Sequence, residues 1–170
     1  MISRSVTVFF LVWCAAACGA QTANAPTHDR IVYRNSTYDF CVTLPASWTG
    51  YSIVTEEWTG EWIADSPRPA VGLNLKGPKL LIRHPKWTAS VPREDIPIMV
   101  FSLDQWKLVA AGQMSVSAAP YGPTELGRNE KFVFALPPRY DFDQREGVEE
   151  VVQLMNHHPL HAPCPAAESR

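Results

Sequence analysis

The run Ile96-Pro97-Ile98-Met99-Val100-Phe101 carries an apolar residue at every position. A strand that is apolar on both faces is typical of the middle of a sheet that is covered on both sides. Ser102-Leu103-Asp104-Gln105 follows directly and matches a capping box, in which the serine hydroxyl accepts the glutamine backbone N–H and the glutamine side chain reaches back. The stretch therefore predicts a central strand that leads straight into a helix.

A second strand is predicted upstream by alternation. Residues 38–44 alternate between an apolar and a more polar face, and the predicted strand ends at Pro45. Its apolar face holds Tyr38, Phe40, Val42 and Leu44. Cys41 lies on the opposite face, within reach of a C-terminal segment. The preceding Asn35-Ser36-Thr37 is a formal glycosylation sequon, which we interpret as a turn.

Two helices are predicted. The first follows Ser102 and ends at Gly112, since glycine commonly terminates helices. Its buried side chains are predicted to be Leu103, Trp106 and Ala110. The second follows a capping box formed by Asp143 and Glu146, and Pro159 ends it. Its apolar stripe at i, i+3, i+4 and i+7 consists of Val148, Val151, Val152 and Met155.

Four further strands are predicted at residues 51–58, 79–84, 114–119 and 131–136, with a long loop at residues 61–74. Because most strands follow one another without an intervening helix, antiparallel pairing is favoured. The sequence therefore predicts an α+β fold, a mainly antiparallel β-sheet of about six strands with two helices packed on it. This single domain spans residues 31–160, and residues 161–170 form a C-terminal tail.

The N-terminus has the three-part pattern of a secretory signal peptide. Arg4 precedes an apolar run at residues 6–13, and small residues occupy most of positions 15–20. The apolar run is too short to cross a membrane, which takes roughly 20 apolar residues. We therefore predict a signal peptide over residues 1–17 and a lipid anchor with its tether over residues 18–30.

Residues 15–19 resemble a bacterial lipobox, in which a cysteine after small residues is diacylated and becomes the first mature residue. Cys18 is the predicted lipidation site, although Ala15 stands where leucine is usual. Two acyl chains anchor a protein stably, whereas one is marginal. This predicts an exported, membrane-anchored lipoprotein of the cell envelope that faces the periplasm or the exterior. The alternative is ordinary cleavage after Ala20 without a lipid.

Two cysteines, Cys41 and Cys164, are left if Cys14 is removed with the signal peptide and Cys18 carries the lipid. Exported proteins meet oxidising conditions, so a Cys41–Cys164 disulfide is the candidate pairing. Such a bridge would fasten the C-terminal tail to the domain. The alternative is two unpaired thiols, because a sequence does not show the geometry that a bridge requires.

The composition gives no sign of a nucleic-acid partner. The formal net charge is −2, and no basic run or basic–aromatic interleaving occurs. The sequence also has no nucleophile elbow, zinc-protease helix, phosphate loop, dinucleotide fingerprint or Cys-x-x-Cys pair. No catalytic residue and no cofactor is predicted from it.

Basic side chains cluster around the end of the third predicted strand. Arg83, His84, Lys86 and Arg93 could form an anion pocket for a ligand or for a partner's carboxylate. The alternative is an ordinary solvated strand end, because a strand directs successive side chains to opposite faces.

Four tryptophans lie in or beside predicted loops: Trp48, Trp58, Trp62 and Trp87. Exposed tryptophans could stack on sugar rings or hold a protein partner. The alternative is that they cover the core, since tryptophan is usually largely buried.

The densest group of possible metal ligands is His157, His158 and His161. Imidazoles that lie close together could bind zinc or copper. The alternative is a solvated helix terminus, where histidine is favourable near the negative end of the helix dipole. Asp141 and Asp143 are a candidate oxygen-ligand pair for Ca²⁺, and the simpler interpretation is that Asp143 caps the second helix.

Several motifs resemble a family of small uncharacterised bacterial secreted proteins and lipoproteins. They are Tyr38-x-Phe40 leading into Leu44-Pro45-x-x-Trp48 and Gly50-Tyr51, and the segments 77–79, 82–85, 95–101, 115–120 and 126–129. The resemblance covers about residues 35–160. The opening motif is also similar to the PsbP-like α/β/α sandwich, a fold that mostly serves as an assembly or binding module. Neither resemblance supplies a catalytic residue.

The predicted function is a non-enzymatic binding or assembly module of the cell envelope. Its partners are the membrane, through the N-terminal lipid, and an unknown protein or small molecule. One alternative is a metal-assisted hydrolase that uses the C-terminal histidines. Another is a glycan-binding module that uses the loop tryptophans, because fold analogy alone does not define a function.

Overall fold

The computed structural model describes residues 30–63 and 74–166. The predicted signal peptide, the lipidation site and all but the last residue of the tether lie outside the described residues. The described part forms ten strands and two helices. The strands are β1 (Arg30–Asn35), β2 (Phe40–Pro45), β3 (Ser52–Thr59), β4 (Glu61–Trp62), β5 (Lys76–Arg83), β6 (Ile96–Ser102), β7 (Met114–Ser115), β8 (Thr124–Arg128), β9 (Phe132–Leu136) and β10 (Leu160–His161). The helices are α1 (Leu103–Ala110) and α2 (Val148–Asn156), and a short 3-10 turn covers Ala46–Trp48.

The main sheet has five antiparallel strands in the order β3-β5-β6-β9-β8. β6 lies in its middle, with Ile98 opposite Leu80 of β5 and Val100 opposite Phe134 of β9. This confirms the central position predicted from the apolar run. A three-stranded antiparallel sheet, β1-β2-β10, and a two-stranded sheet, β4-β7, make up the other described sheets.

The first core lies between the two larger sheets and α2. Ile98 and Val100 project into it from one face of β6, because alternate side chains of a strand share a face. The buried side chains that they join include Phe40, Val42 and Leu44 of β2, Trp48, and Val151 and Met155 of α2. Burial of the β2 side chains explains the alternation from which that strand was predicted.

The second core lies on the opposite face of the main sheet, beneath α1. Met99 and Phe101 of β6 pack there with Trp58, and Trp106 of α1 packs against them. α1 therefore covers one face of the main sheet, while the three-stranded sheet and α2 cover the other. The predicted α+β fold with mainly antiparallel strands is confirmed.

α1 begins with the predicted capping box. Ser102 Oγ accepts the Gln105 backbone N–H at 3.2 Å, and Gln105 Oε1 accepts the Ser102 backbone N–H at 2.8 Å. The helix ends before Gly112, whose φ of 66° lies in the left-handed region that glycine adopts readily. The predicted burial of Ala110 is wrong, because this residue is exposed. Gln105 is buried instead, and its amide donates to two backbone carbonyls within residues 74–76.

α2 begins differently from the prediction. It starts at Val148, after a Gly147 with φ of 83°, and no side chain caps its N-terminus. The predicted capping box is therefore wrong, because Asp143 and Glu146 form ion pairs with arginines instead. The apolar stripe is correctly predicted, with Val148, Val151 and Met155 buried and Val152 half-buried.

Four of the described strands are absent from the prediction. β1 and β8 lie at the edges of their sheets, where polar side chains are tolerated, so their sequences show no clean alternation. β4 occupies the start of the predicted long loop, and β10 includes His161, the first residue of the predicted tail. The strand predicted at residues 114–119 shortens to β7. Neither described helix is long and apolar enough to cross a membrane.

Candidate functional site

The predicted basic residues lie around residues 84–95, which connect β5 to β6 and are here called the β5–β6 loop. Arg83 is the last residue of β5, and His84 is the first residue of the loop. Arg93 lies near the end of the loop, where it forms ion pairs with Glu146 and with Glu150 of α2. Each guanidinium therefore has a carboxylate partner, and Lys86 and Arg93 are the two positive charges that act on His84.

Arg83 is paired with Asp95 across the two strand ends. Its Nη2 lies 2.8 Å from Oδ2, and its Nε lies 3.2 Å from both carboxylate oxygens. These hydrogen bonds raise the pKa of the Arg83 guanidinium. The guanidinium carbon also lies 4.0 Å from the centroid of the Trp87 ring, a distance typical of a cation–π contact. Arg83 thus holds the β5–β6 loop against the sheet.

His84 is buried and fixes the first turn of the β5–β6 loop. Its Nδ1 accepts the backbone N–H of Lys86 at 3.1 Å. Its ring meets the Trp48 ring edge to face, with centroids 4.9 Å apart. Burial is the main cause that lowers the pKa of His84, and the positive charge of Arg93 lowers it further. Burial and the charge of Arg93 therefore both disfavour the imidazolium form.

Glu150 of α2 connects three parts of the molecule. Its Oε1 accepts the Trp48 indole N–H and the Ser47 hydroxyl, both at 3.0 Å. Its Oε2 lies 3.3 Å from Nη2 of Arg93, which also pairs with Glu146. One carboxylate therefore links the turn after β2, the β5–β6 loop and α2.

Glu94 is a buried carboxylic acid in the same loop. It is 7% exposed, and its Oε2 has no hydrogen-bond partner among the described residues. Burial raises the pKa of Glu94, while the positive charge of Arg145 opposes that rise. The predicted Ca²⁺ ligands Asp141 and Asp143 lie near enough to raise it further, but Asp143 is itself paired with Arg145.

The predicted tryptophans divide into two groups. Trp58 is 4% exposed and its indole N–H donates to the Val100 carbonyl at 2.9 Å, so it belongs to the second core. Trp48 is 1% exposed and belongs to the first core. Of the two interpretations that the sequence left open, core packing applies to these two rings. Trp62 and Trp87 are half-buried.

The predicted histidine ligands are not brought together. His157 and His158 are exposed beyond the last turn of α2, and Nδ1 of His157 lies 2.7 Å from the Gln153 carbonyl. His161 lies in β10, opposite Cys41 of β2. Among residues 30–63 and 74–166, no group of three or more His, Cys, Asp or Glu side chains could hold a metal ion.

Cys41 and Cys164 form the predicted disulfide, with Cα atoms 5.1 Å apart. Cys41 faces away from the first core, on the face where alternation placed it, and β10 runs alongside β2 to bring the C-terminal segment to it. Arg34 secures this segment, because its Nη1 lies 2.7 Å from both the Cys164 sulfur and the Pro165 carbonyl oxygen.

A cleft of about 740 Å³ lies beside the bridge and is here called the disulfide cleft. It is lined by residues 36–39 between β1 and β2, residues 129–132 at the turn from β8 to β9, and Pro163. Asn129 joins the two turns, because its amide donates to the carbonyls of Tyr38 at 2.8 Å and Asp39 at 3.1 Å. The backbone N–H of Cys164 donates to the Asp39 carboxylate at 3.4 Å.

The disulfide cleft combines an aromatic pair with charged side chains. Tyr38 and Phe132 are half-buried and meet edge to face, with centroids 5.3 Å apart. Asp39, Glu130 and Lys131 are exposed, and none of the three forms an ion pair with another described residue. These charges are therefore available to a ligand.

Sequence reasoning predicted one turn of this cleft but not the cleft itself. The sequon at Asn35 does form a turn, in which the asparagine Oδ1 accepts the Tyr38 backbone N–H at 3.0 Å and its amide donates to the Tyr33 hydroxyl at 2.8 Å. The only sequence signals were this turn and the candidate disulfide, which point to two of the three lining segments.

Comparison with protein-family models, with curated proteins and with solved structures found no match. The resemblance to small bacterial lipoproteins and to the PsbP-like sandwich therefore stays a prediction.

Proposed function

We propose that this chain is an exported, membrane-anchored lipoprotein of the cell envelope and acts as a non-enzymatic binding or assembly module. In this proposal Cys18 carries the lipid and residues 18–30 form the tether. β1 begins at Arg30, so the proposed tether leads directly into the folded domain. The disulfide cleft is the proposed binding surface for a small molecule or a segment of an envelope protein.

The Cys41–Cys164 disulfide supports the exported location. Disulfides form and persist in oxidising compartments such as the periplasm and the exterior, and they are rare in reducing cytosol. The bridge joins Cys41, a buried residue of β2, to the C-terminal segment, so its role is to stabilise the fold.

The unpaired charges of the disulfide cleft are the observation that carries the binding proposal. The described part of the chain forms eight ion pairs, yet Asp39, Glu130 and Lys131 take part in none of them. They surround a concave surface with an aromatic pair at its wall, and ligand sites commonly combine a shaped apolar surface with a few convergent polar groups. A fitting ligand carries an apolar or ring group together with both donors and acceptors.

The anchor and the bridge can be tested by intact mass. Protein purified from its own membranes should have the mass of a diacylated chain that begins at Cys18. Alkylation of the unfolded protein should add no label before reduction and two labels after it, one each at Cys41 and Cys164. An unlipidated chain that begins near residue 21 would overturn the anchor and leave the binding proposal standing.

The binding surface can be tested by site-specific photo-crosslinking in the cell envelope. A photoreactive amino acid at Thr37, which is exposed and lines the cleft, should give a discrete adduct. The same amino acid at Lys107, an exposed position on α1, is the matched control and should give none. The adduct at Thr37 should disappear when Lys131→Glu reverses the charge of the cleft. Equal adducts at both positions, or no effect of the charge reversal, would rule out the cleft.

A glycan is the second candidate ligand, and Tyr38 favours it. Aromatic rings stack on the apolar face of sugars, and the neighbouring Ser36 and Thr37 offer hydroxyl groups to sugar hydroxyls. This moves the glycan hypothesis from the tryptophans to the disulfide cleft. Titration of the intrinsic fluorescence with soluble cell-wall fragments should give a saturable change that Tyr38→Ala abolishes. A flat response in the unmodified protein would exclude this ligand class.

The hydrolase alternative has no support among the described residues, because the three C-terminal histidines form no metal-holding group. The PsbP-like and lipoprotein-family resemblance is retained as part of the proposal. The PsbP-like part is supported by the packing of α1 on one face of the main sheet and of α2 side chains in the core on the other face, and the lipoprotein-family part rests on its sequence motifs alone.

A further inference from the structure

One histidine holds two successive amides at the start of the β5–β6 loop. Nδ1 of His84 accepts the backbone N–H of Lys86 at 3.1 Å, and its carbonyl oxygen accepts the backbone N–H of Trp87 at 2.9 Å. A ring nitrogen accepts a hydrogen bond only while it carries no proton. The contact between His84 and Lys86 therefore exists only in the neutral imidazole with its proton on Nε2.

The charges around His84 leave no partner for an imidazolium. The charged side chains that face it are Lys86 in the loop, Arg93 at the end of the loop, Glu146 before α2 and Glu150 in α2. The two positive and two negative charges balance, and Arg93 already pairs with both glutamates. A proton on His84 would add an uncompensated positive charge to a side chain that is 3% exposed.

We propose that His84 controls the β5–β6 loop in a pH-dependent way. The neutral imidazole holds the first turn of the loop in place, and the turn opens when the imidazole takes up a proton. The imidazolium cannot accept the Lys86 N–H, so the first turn of the loop opens and Trp87 separates from Arg83. The rest of the domain keeps its fold, because β5 and β6 remain paired through Leu80 and Ile98. This inference goes beyond the proposed binding function and does not depend on the disulfide cleft.

The pH at which the loop opens follows from the surroundings of His84. Burial and the charge of Arg93 lower the pKa of this histidine, while Glu150 and Glu146 act in the opposite direction. Opening is therefore expected on the acid side of the ordinary histidine range, which is centred near about pH 6.5. Removing a facing carboxylate with Glu146→Gln should move the opening to still lower pH.

Hydrogen exchange of the full domain with its disulfide intact tests the proposal. After correction for intrinsic exchange rates, the amides of Lys86 and Trp87 should lose about tenfold protection between about pH 7.5 and about pH 5, the factor expected for one side-chain hydrogen bond. His84→Asn is the matched control, because an asparagine Oδ1 accepts the N–H two residues on in an Asx-turn and does not titrate. This variant should keep the same protection at both pH values.

Three results would overturn the proposal. The unmodified protein could show no pH-dependent loss of protection at Lys86 and Trp87. His84→Asn could show the same loss as the unmodified protein. The amide of Ile98 in β6 could lose protection in parallel, which would indicate unfolding of the whole domain. If His84→Asn does not fold, the nitrogen-15 NMR titration of His84 in the unmodified protein decides, since its midpoint must coincide with the loss of protection at Lys86.

Discussion

Replacing Cys164 with serine is expected to destabilise the domain strongly through the unfolded state. The disulfide joins residues that are 123 positions apart in the sequence. In the chain-entropy relation, closing a loop of that length contributes about 5 kcal/mol to the free energy of unfolding at 25 °C. Because single domains have total stabilities of about 5–15 kcal/mol, the full entropic contribution would amount to about a third or more of the stability.

Cys164 is the better position for this test than Cys41. Cys41 is 2% exposed within β2, so a substitution there would also disturb packing. Cys164 is half-buried beyond the last strand, and a serine hydroxyl can keep the contact with Arg34. The loss measured for Cys164→Ser therefore reports mainly on the closed loop.

Urea unfolding followed by circular dichroism provides the measurement. The free energy of unfolding should fall by about 3–5 kcal/mol in Cys164→Ser, since such bridges often contribute less than the entropy relation gives. Reductant should bring the unmodified protein to the same value and leave the variant unchanged. A difference below about 1 kcal/mol, or an equal effect of reductant on the variant, would refute the entropic reasoning, because neither agrees with a bridge that restricts a long loop.

Three further substitutions test the cores and the buried acid. Trp58→Phe should lower the free energy of unfolding by about 1–3 kcal/mol, because it removes the indole donor to Val100, and urea unfolding measures the loss. Gly77→Ala would place a Cβ 2.7 Å from the Trp58 ring, so it should cost about 1–3 kcal/mol, and the cost should shrink in the Trp58→Phe background where the larger ring is gone. Glu94→Gln should raise the free energy of unfolding near about pH 7. Burial raises the pKa of Glu94 in the folded state above its value in the unfolded state. Between these two pKa values the folded state binds more protons, so the stability of the unmodified protein falls as the pH rises through this window. Unfolding curves for the unmodified protein and the variant should converge below that window, and an unchanged gap at acidic pH would contradict the assignment.

The strands that could be predicted are those whose burial is one-sided or complete. β2 has a fully buried face, so Phe40, Val42 and Leu44 recur at every second position. β6 is buried on both faces, so its sequence is an unbroken run of apolar residues. β8 escaped prediction because it lies at a sheet edge and carries a register shift between Glu125 and Gly127, which breaks the period of two.

Local motifs predicted a helix start correctly only where tertiary contacts leave the capping hydrogen bonds in place. The Ser102–Gln105 box forms because the helix follows β6 directly. The similar pattern at Asp143 and Glu146 does not form a capping box. Glu146 instead forms a parallel bridge with Arg93 of the β5–β6 loop, and α2 begins only after Gly147. A four-residue pattern carries no information about that distant partner.

The basic residues around the β5–β6 loop show the same limit of sequence patterns, because residues outside the local pattern neutralise their charges. Arg83 and Arg93 belong to one basic cluster in the sequence, yet Asp95 neutralises Arg83, and Glu146 and Glu150 neutralise Arg93. The sequence left an anion pocket open as one interpretation of these basic residues, and the fold pairs both guanidinium groups with carboxylates.

The disulfide cleft depends on the same bridge that supports the exported location. Its lining comes from the turn after β1, the turn after β8 and Pro163, and the third of these is held in place by the neighbouring Cys164. The N–H of Cys164 also donates to the carboxylate of Asp39, one of the charged side chains of the cleft that form no ion pair. In the proposed function, a chain that has not yet reached an oxidising compartment lacks this covalent bond, so the cleft would take its full form only after export. The proposed location and the proposed binding surface would thereby depend on the same covalent bond, which a disulfide elsewhere in the domain would not achieve.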